Sequence, residues 1–268
     1  MTRTRDDTLP FARDRRRVRG DHGRELNTFS AVAHCARSGQ LGVVVASAVP
    51  AVGSMCPFLK SGIGAVSTQS WVNPYLAIEA LRSIEAGSSA QHALDTVLAS
   101  DDARDLRQIG IVDTAGRAAA WSGARCTPWF GHVVGERFAV QGNMLTGPGV
   151  IDSMAEAMRA SESLELAERL MRALEAGDAA GGDKRGRQSA ALRVHEREDY
   201  PLIDLRVDEH PCPVVELRRI YEIAKLQLLP FVRGMPRKGM PAAPAPEAVT
   251  KMLALAPPYR PGGGGSAP

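Results

Sequence analysis

From residue 28 onward, apolar residues fall in short runs punctuated by glycine, proline and polar clusters rather than in one long helical repeat. Thr28 to Ala33 and Leu41 to Ser47 read as two strands, with Arg37-Ser38-Gly39-Gln40 as the hairpin turn between them. Gly62 to Gln69 reads as a third strand. It is not a dinucleotide fingerprint, because the third glycine is missing and no helix opens there. Asn73-Pro74 starts a helix whose apolar face is Leu76, Ala80, Leu81 and Ile84, and Gly87 stops it. Ser88 or Ser89 caps a second helix carrying Ala93, Leu94, Val97 and Leu98. Gln108 to Val112, a turn at Asp113–Gly116 and Ala118 to Trp121 form another hairpin, and Phe138 to Asn143 is a further strand. Helices near 149–160 and 163–176 precede a glycine-rich loop, strands at 188–194 and 202–207, and a helix from about Val214 to Leu228. Hairpins prevail where a doubly wound fold would alternate single strands with helices. The pattern therefore predicts an α+β fold of antiparallel sheets covered by helices.

The two ends differ from this body. Residues 1–26 are Arg-rich and lack periodicity, which predicts a disordered leader or a miscalled start, with Val18 and Leu26 as alternative starts. Residues 230–268 hold nine of the 18 prolines, end in Gly262 to Gly265, and read as a linker-like tail with one weak helix at 247–255. The net charge of +3 comes from these ends: residues 28–229 hold 20 bases and 24 acids. A mildly acidic body speaks against a nucleic-acid-binding face. Cys35, Cys56, Cys126 and Cys212 are scattered without CxxC or zinc-finger spacing, and the six His show no HExxH pattern. Buried reduced thiols and no metal site are expected. The chain has no apolar run of transmembrane length and no secretory h-region, so a cytoplasmic protein without membrane partners is expected.

One stretch concentrates candidate chemistry. Gly181-Gly182-Asp183-Lys184-Arg185-Gly186-Arg187-Gln188-Ser189 joins a helical pattern to an apolar strand, with three glycines, one acid and three bases. Glycine lets a backbone approach a ligand closely, and a charged loop entering a core strand is a common place for chemistry. A solvated basic turn accounts for the same residues.

Several segments together resemble the family known as domain of unknown function 1028. They are Asn27 to Ala33, Leu41 to Ser47, Gly62 to Gln69, Gln108 to Asp113, Trp121 to Cys126, Ala139 to Asn143, Gly181 to Leu192 and Leu205 to Asp208. The resemblance covers nearly all of 27–225 and groups the fold with the N-terminal nucleophile (Ntn) hydrolases. It implies a four-layer α-β-β-α sandwich with two antiparallel sheets, in agreement with the order of elements. The reaction it implies is analogy.

By that analogy Thr28 is the nucleophile, and its own α-amine is the base. Asn143, with the Gly142 backbone nearby, donates to the oxyanion, and Asp183 orients the ammonium. Arg185 or Arg187 holds a carboxylate on the substrate, and Ser47, Ser67, Gln69, Gly142, Gly182, Gln188 and Ser189 line the substrate site. No cofactor is called for. The residues also have plainer readings: Thr28 as a β-branched strand starter, Asn143 as a strand end, Asp183 and the arginines as a surface ion-pair network, and Lys60 as a solvated edge lysine. Thr28 has 27 residues before it, so the enzyme reading requires cleavage at Asn27–Thr28. The expectation is an amide-bond hydrolase for a small anionic substrate. The alternative is a non-catalytic binding protein that holds a small anion in the 181–189 loop. The stripe Leu217, Ile220, Tyr221, Ala224 and Leu228 suits either a homo-oligomer contact or a cover for the sheet.

Overall fold

A computed structural model describes residues 28–241 and 243–268. The described residues open with the hairpin β1 (Thr28–His34) and β2 (Leu41–Ser47), followed by β3 (Pro57–Lys60) and β4 (Gly64–Ser70). Helices α1 (Pro74–Glu85) and α2 (Ala90–Ala99) come next, then β5 (Arg107–Asp113), β6 (Ala118–Ser122), β7 (Gly131–Gly135) and β8 (Phe138–Gly142). After α3 (Gly149–Ala160) and α4 (Leu166–Ala179) come β9 (Ser189–His195), β10 (Ile203–Val207), α5 (Pro213–Arg233) and α6 (Glu247–Leu253). Helix boundaries follow the local chemistry. Asn73 accepts from the Tyr75 amide with Pro74 at the first helical position, and Ser89 accepts from the His92 amide. Gly87, at φ 103°, leaves α1 through a conformation that side chains resist.

Every strand pairing is antiparallel, and the strands form two sheets ordered β10-β9-β2-β1-β8-β7 and β3-β4-β5-β6. The outer face of the large sheet packs Phe29, Ala31, Val44 and Leu192 against α3, α4 and α5. The outer face of the small sheet packs Val66, Ile109 and Ile111 against α1 and α2. Between the sheets, Val32, Val43, Ala65, Val112 and Ala139 form a thin apolar layer. The architecture is thus a four-layer α-β-β-α sandwich, as the order of elements and the resemblance predicted.

The strands absent from the sequence reading, β3 and β7, are edge strands with few buried side chains. Within 230–268, α6 lies inside the segment read as a weak helix. Val249 is buried, and Gln227 Nε2 donates to the carbonyls of Pro261 and Gly263 at 2.9 and 2.8 Å. Leu217, Tyr221 and Ala224 are buried in the core over the large sheet, so the α5 stripe covers the protein's own sheet. Cys35, Cys56 and Cys126 are buried and Cys212 is exposed. Burial pushes the Cys56 thiol up to about 12, which makes it unreactive. No described helix is long and apolar enough to cross a membrane.

Candidate active site

Strand register places four polar residues in one row across the inner face of the large sheet. Ser189 stands opposite Ser47 and Ser47 opposite Thr28. The β1–β8 register continues to Asn143, whose amide donates to the Thr28 carbonyl at 3.0 Å. Side chains directly opposite one another share a face, so all four point toward the small sheet. Thr28, Ser47, Asn143 and Ser189 are each 2% exposed or less. The Thr28 hydroxyl donates to Ser47 Oγ at 3.3 Å.

Buried amides from both sheets meet this row. Gln69 Nε2 lies within 3.1 Å of the Thr28 carbonyl, 2.8 Å of Gln108 Oε1 and 3.3 Å of the Gln141 carbonyl. Gln108 Nε2 points at the carbonyls of Gly142 (2.8 Å) and Gly131 (3.2 Å) and at Ser122 Oγ (2.8 Å). Carbonyls only accept, so these contacts fix which end of each amide is nitrogen. Gln108 must turn its oxygen toward Gln69 and Asn143, and Asn143 Nδ2 donates to it at 2.8 Å. Gln69 turns its own oxygen to Ser30 Oγ at 2.6 Å, which in turn accepts from Gln141 Nε2 at 2.6 Å. Among the described residues, Asn143 Oδ1 is left buried with no partner, as are Gln141 Oε1 and Ser67 Oγ. One Asn143 Nδ2 hydrogen is used on Gln108, leaving the second for another acceptor. A buried polar atom in this condition is costly unless something pairs with it.

Gly110 shows how tightly the network is packed. It sits on the inner face of β5, and a Cβ there would collide with the Gln141 side-chain amide.

The glycine-rich loop reaches this row through Asp183. Its side chain is buried, and its Oδ2 accepts from the Ala48 amide, next to Ser47, at 3.2 Å. Asp183 also bridges Leu145, two residues beyond Asn143. Arg185 occupies the same carboxylate, with Nη2 2.8 Å from Oδ2 and its backbone amide 2.9 Å from Oδ1. Asp183 therefore ties the end of β2 to the loop after β8.

Not all the residues expected at the site converge there. Arg187 pairs with Asp178 of α4 at 2.6 Å, and this bond holds its guanidinium above the ordinary pKa. Together they line a crevice with Phe29 and Ala46, outer-face residues, so Arg187 serves the helix side of the sheet. Ser189 clamps the loop after β2, donating to the Val49 carbonyl at 2.6 Å and accepting from the Val52 amide at 3.1 Å. Gln188 donates its backbone amide to the Ser47 carbonyl at 3.0 Å. A Cβ on Gly182, whose φ is 54°, would meet Phe29, and one on Gly142 would meet Leu145 and Ile151. Ser67 lies on the inner face one row away, opposite Gly110. Lys60 is an edge lysine paired with Glu85 at 2.5 Å.

Gln108, Gln141 and Ser30 were missed in the sequence. The signal was present: each is a polar residue on the buried face of an otherwise apolar strand. Lys184 was read only as part of a basic loop. Its Nζ donates to the Pro128 carbonyl at 2.7 Å and has no carboxylate partner among the described residues.

Three comparisons bear on this arrangement. A model of a family of unknown function, DUF1028, matches residues 28–217. The crystal structure of protein SPO2555 from Silicibacter pomeroyi, a protein of the same family, is 31% identical with a TM-score of 0.73. That match covers 79% of this chain and 92% of the other. Anbu (ancestral beta-subunit) from Yersinia bercovieri matches at 10% identity and a TM-score of 0.36, covering 79% of this chain and all of the other. No curated protein matches the chain.

Proposed function

The chain belongs to the family of unknown function DUF1028, and from that premise we propose an N-terminal-nucleophile hydrolase that cleaves an amide bond in a small anionic substrate, with Thr28 as nucleophile. The observation that carries the reading is the setting of Thr28. It is the first residue of β1 and of the family match, and its hydroxyl lies on Ser47. Its carbonyl is held by both the Asn143 amide and Gln69 Nε2. A nucleophile needs this kind of fixed geometry.

In the proposed reaction, the Asn27–Thr28 bond is cleaved and Thr28 gains a free α-amine. That amine takes the Oγ1 proton as Oγ1 attacks the substrate carbonyl. The remaining Asn143 Nδ2 hydrogen faces the oxyanion, and the unpartnered Oδ1 accepts from the ammonium. The ammonium returns its proton to the leaving nitrogen as the C–N bond breaks, leaving an ester on Thr28 that water hydrolyses. Arg185 and Arg187 are already neutralised by Asp183 and Asp178. The substrate's anionic group therefore falls to Lys184, the loop cation without a carboxylate partner among the described residues. Asp183 acts as a positioning residue, through Ala48 and Leu145.

The test is a chain that begins at Thr28, treated with a β-lactone and mapped by mass spectrometry. An ester on Thr28 that is absent in Thr28→Ala is the expected result. No adduct, or an adduct that persists in Thr28→Ala, refutes Thr28 as the nucleophile.

A further inference from the structure

At the end of the sandwich opposite Thr28, the β1–β2 turn, the run-out of β9 and the last turn of α5 come together. They enclose a groove of about 790 Å³, well within the size of small-molecule sites. Its charged lining comprises Arg37, Arg197, Arg233, Arg237 and Lys238 against Glu196 and Glu198. A second depression, of about 670 Å³, adjoins it and shares Arg37, Glu196 and Arg197.

None of the four arginines has a carboxylate partner among the described residues. Arg37 spends its guanidinium on the carbonyls of Glu162 (2.9 Å) and Leu164 (2.6 Å), which fix its position without neutralising it. Arg237 Nη2 donates to the Arg233 carbonyl at 3.5 Å. Lys238 meets Asp199 at 3.4 Å, with both side chains largely exposed. The two acids are engaged elsewhere: Glu196 Oε1 accepts from Gln40, and Glu198 Oε2 from the Lys238 amide. By contrast, Arg218 on α5 meets Glu168, Glu175 and Glu222 at once. Unneutralised arginines gathered around one concavity mark it for an anion.

The apolar part of the lining is Leu202, Val232 and Met240, with Tyr200 pinned by its hydroxyl to the Pro236 carbonyl at 2.9 Å. Val232 to Met240 lie beyond the family match, which ends at residue 217. The groove is thus built where the chain's own C-terminal extension folds over the family core.

We propose that this groove is a second site, separate from Thr28, that binds a phosphate-bearing small molecule with an aromatic or apolar body, of about mononucleotide size. Several guanidiniums converging on one concavity suit a multiply charged phosphate, which accepts paired N–H donors. The apolar part of the lining suits the body. Glu196 and Glu198 in the lining disfavour a long polyanion.

The test is calorimetry on the full chain with ATP, inorganic pyrophosphate, citrate and a single-stranded oligonucleotide, at low and at physiological salt. The expected result is one site for ATP and for pyrophosphate with Kd below about 1 mM. ATP should bind more tightly than pyrophosphate, and both should weaken with salt. Arg197→Ala with Arg233→Ala, two exposed positions, should lower affinity at least about tenfold, whereas Thr28→Ala should leave it unchanged. Failure of the Thr28 reading would leave these results intact. Absence of heat from both phosphates, citrate binding as tightly as ATP, equal binding by the double variant, or preference for the oligonucleotide would overturn the proposal.

Discussion

The Thr28 hydroxyl lies 3.3 Å from that of Ser47, directly across the β1–β2 ladder, and both are buried on the face turned toward the second sheet. This buried ladder pair of hydroxyls has its first consequence at Ser47. Ser47→Ala removes the acceptor that orients Oγ1. It should cost about 1 kcal/mol of stability and slow β-lactone acylation of Thr28 by at least about tenfold. Chemical denaturation and the acylation rate, measured on the same preparation, check the pair of effects. A stability loss with unchanged acylation would make Ser47 purely structural.

Gln69 is the hub of the inter-sheet network. Gln69→Leu deprives the Thr28 carbonyl, Gln108 Oε1, the Gln141 carbonyl and the Ser30 hydroxyl of a partner together. The Thr28 carbonyl, Gln108 Oε1 and Ser30 Oγ keep the Asn143 backbone amide, Asn143 Nδ2 and Gln141 Nε2 as partners. The loss is therefore that of four buried hydrogen bonds at about 1 kcal/mol each, and the variant should lose about 3 kcal/mol or more, read by urea unfolding. A loss under about 1 kcal/mol would mean that the network is not as buried and coupled as described.

Gly110→Ala should cost about 1–3 kcal/mol, because its Cβ meets a Gln141 amide anchored to Ser30. Combining it with Gln141→Ala should give less than the sum of the two single losses, since removing the amide removes the collision. Additive losses would contradict the contact.

At the far end of the inner face, His34 and His195 are buried, each with a ring nitrogen that has no partner among the described residues. Burial, reinforced by Arg193, pushes the His195 pKa down from 6.5 to about 4. Burial, with help from Arg137, also lowers that of His34. Lowered folded pKa values mean that the unfolded chain binds more protons, so stability is full above about pH 6.5 and declines as pH falls toward 4. His195 alone should account for about 3 kcal/mol of that decline. Denaturation curves from pH 7.5 to 4, compared with His195→Phe, read it: the variant's profile should be flatter, and identical slopes would refute the assignment.

The fold was legible where local chemistry is unambiguous. Asn73-Pro74, Ser89 and Gly87 marked helix ends, and runs such as Leu41 to Ser47 marked central strands. The edge strands β3 and β7 were not legible, because their half-exposed, short, Pro- or Gly-flanked sequences carry little hydrophobic signal. At the site, Thr28, Ser47, Gln69, Asn143 and Asp183 could be picked out from sequence and resemblance. Gln108 and Gln141 were overlooked: each is a polar residue on a buried strand face, but the partners that give it weight, Gln69 and Asn143 for Gln108 and Ser30 for Gln141, lie on other strands. The direction of Arg187 was equally hidden: Asp178, on another element, decides which side of the sheet it serves.

The central claim is that Thr28 acts through a free α-amine, and the most direct measurement is intact mass with N-terminal sequencing of the protein purified from its native host. The account predicts a mature chain whose first residue is Thr28. A native chain that still carries Asn27 would leave Thr28 without its base and contradict the proposed mechanism.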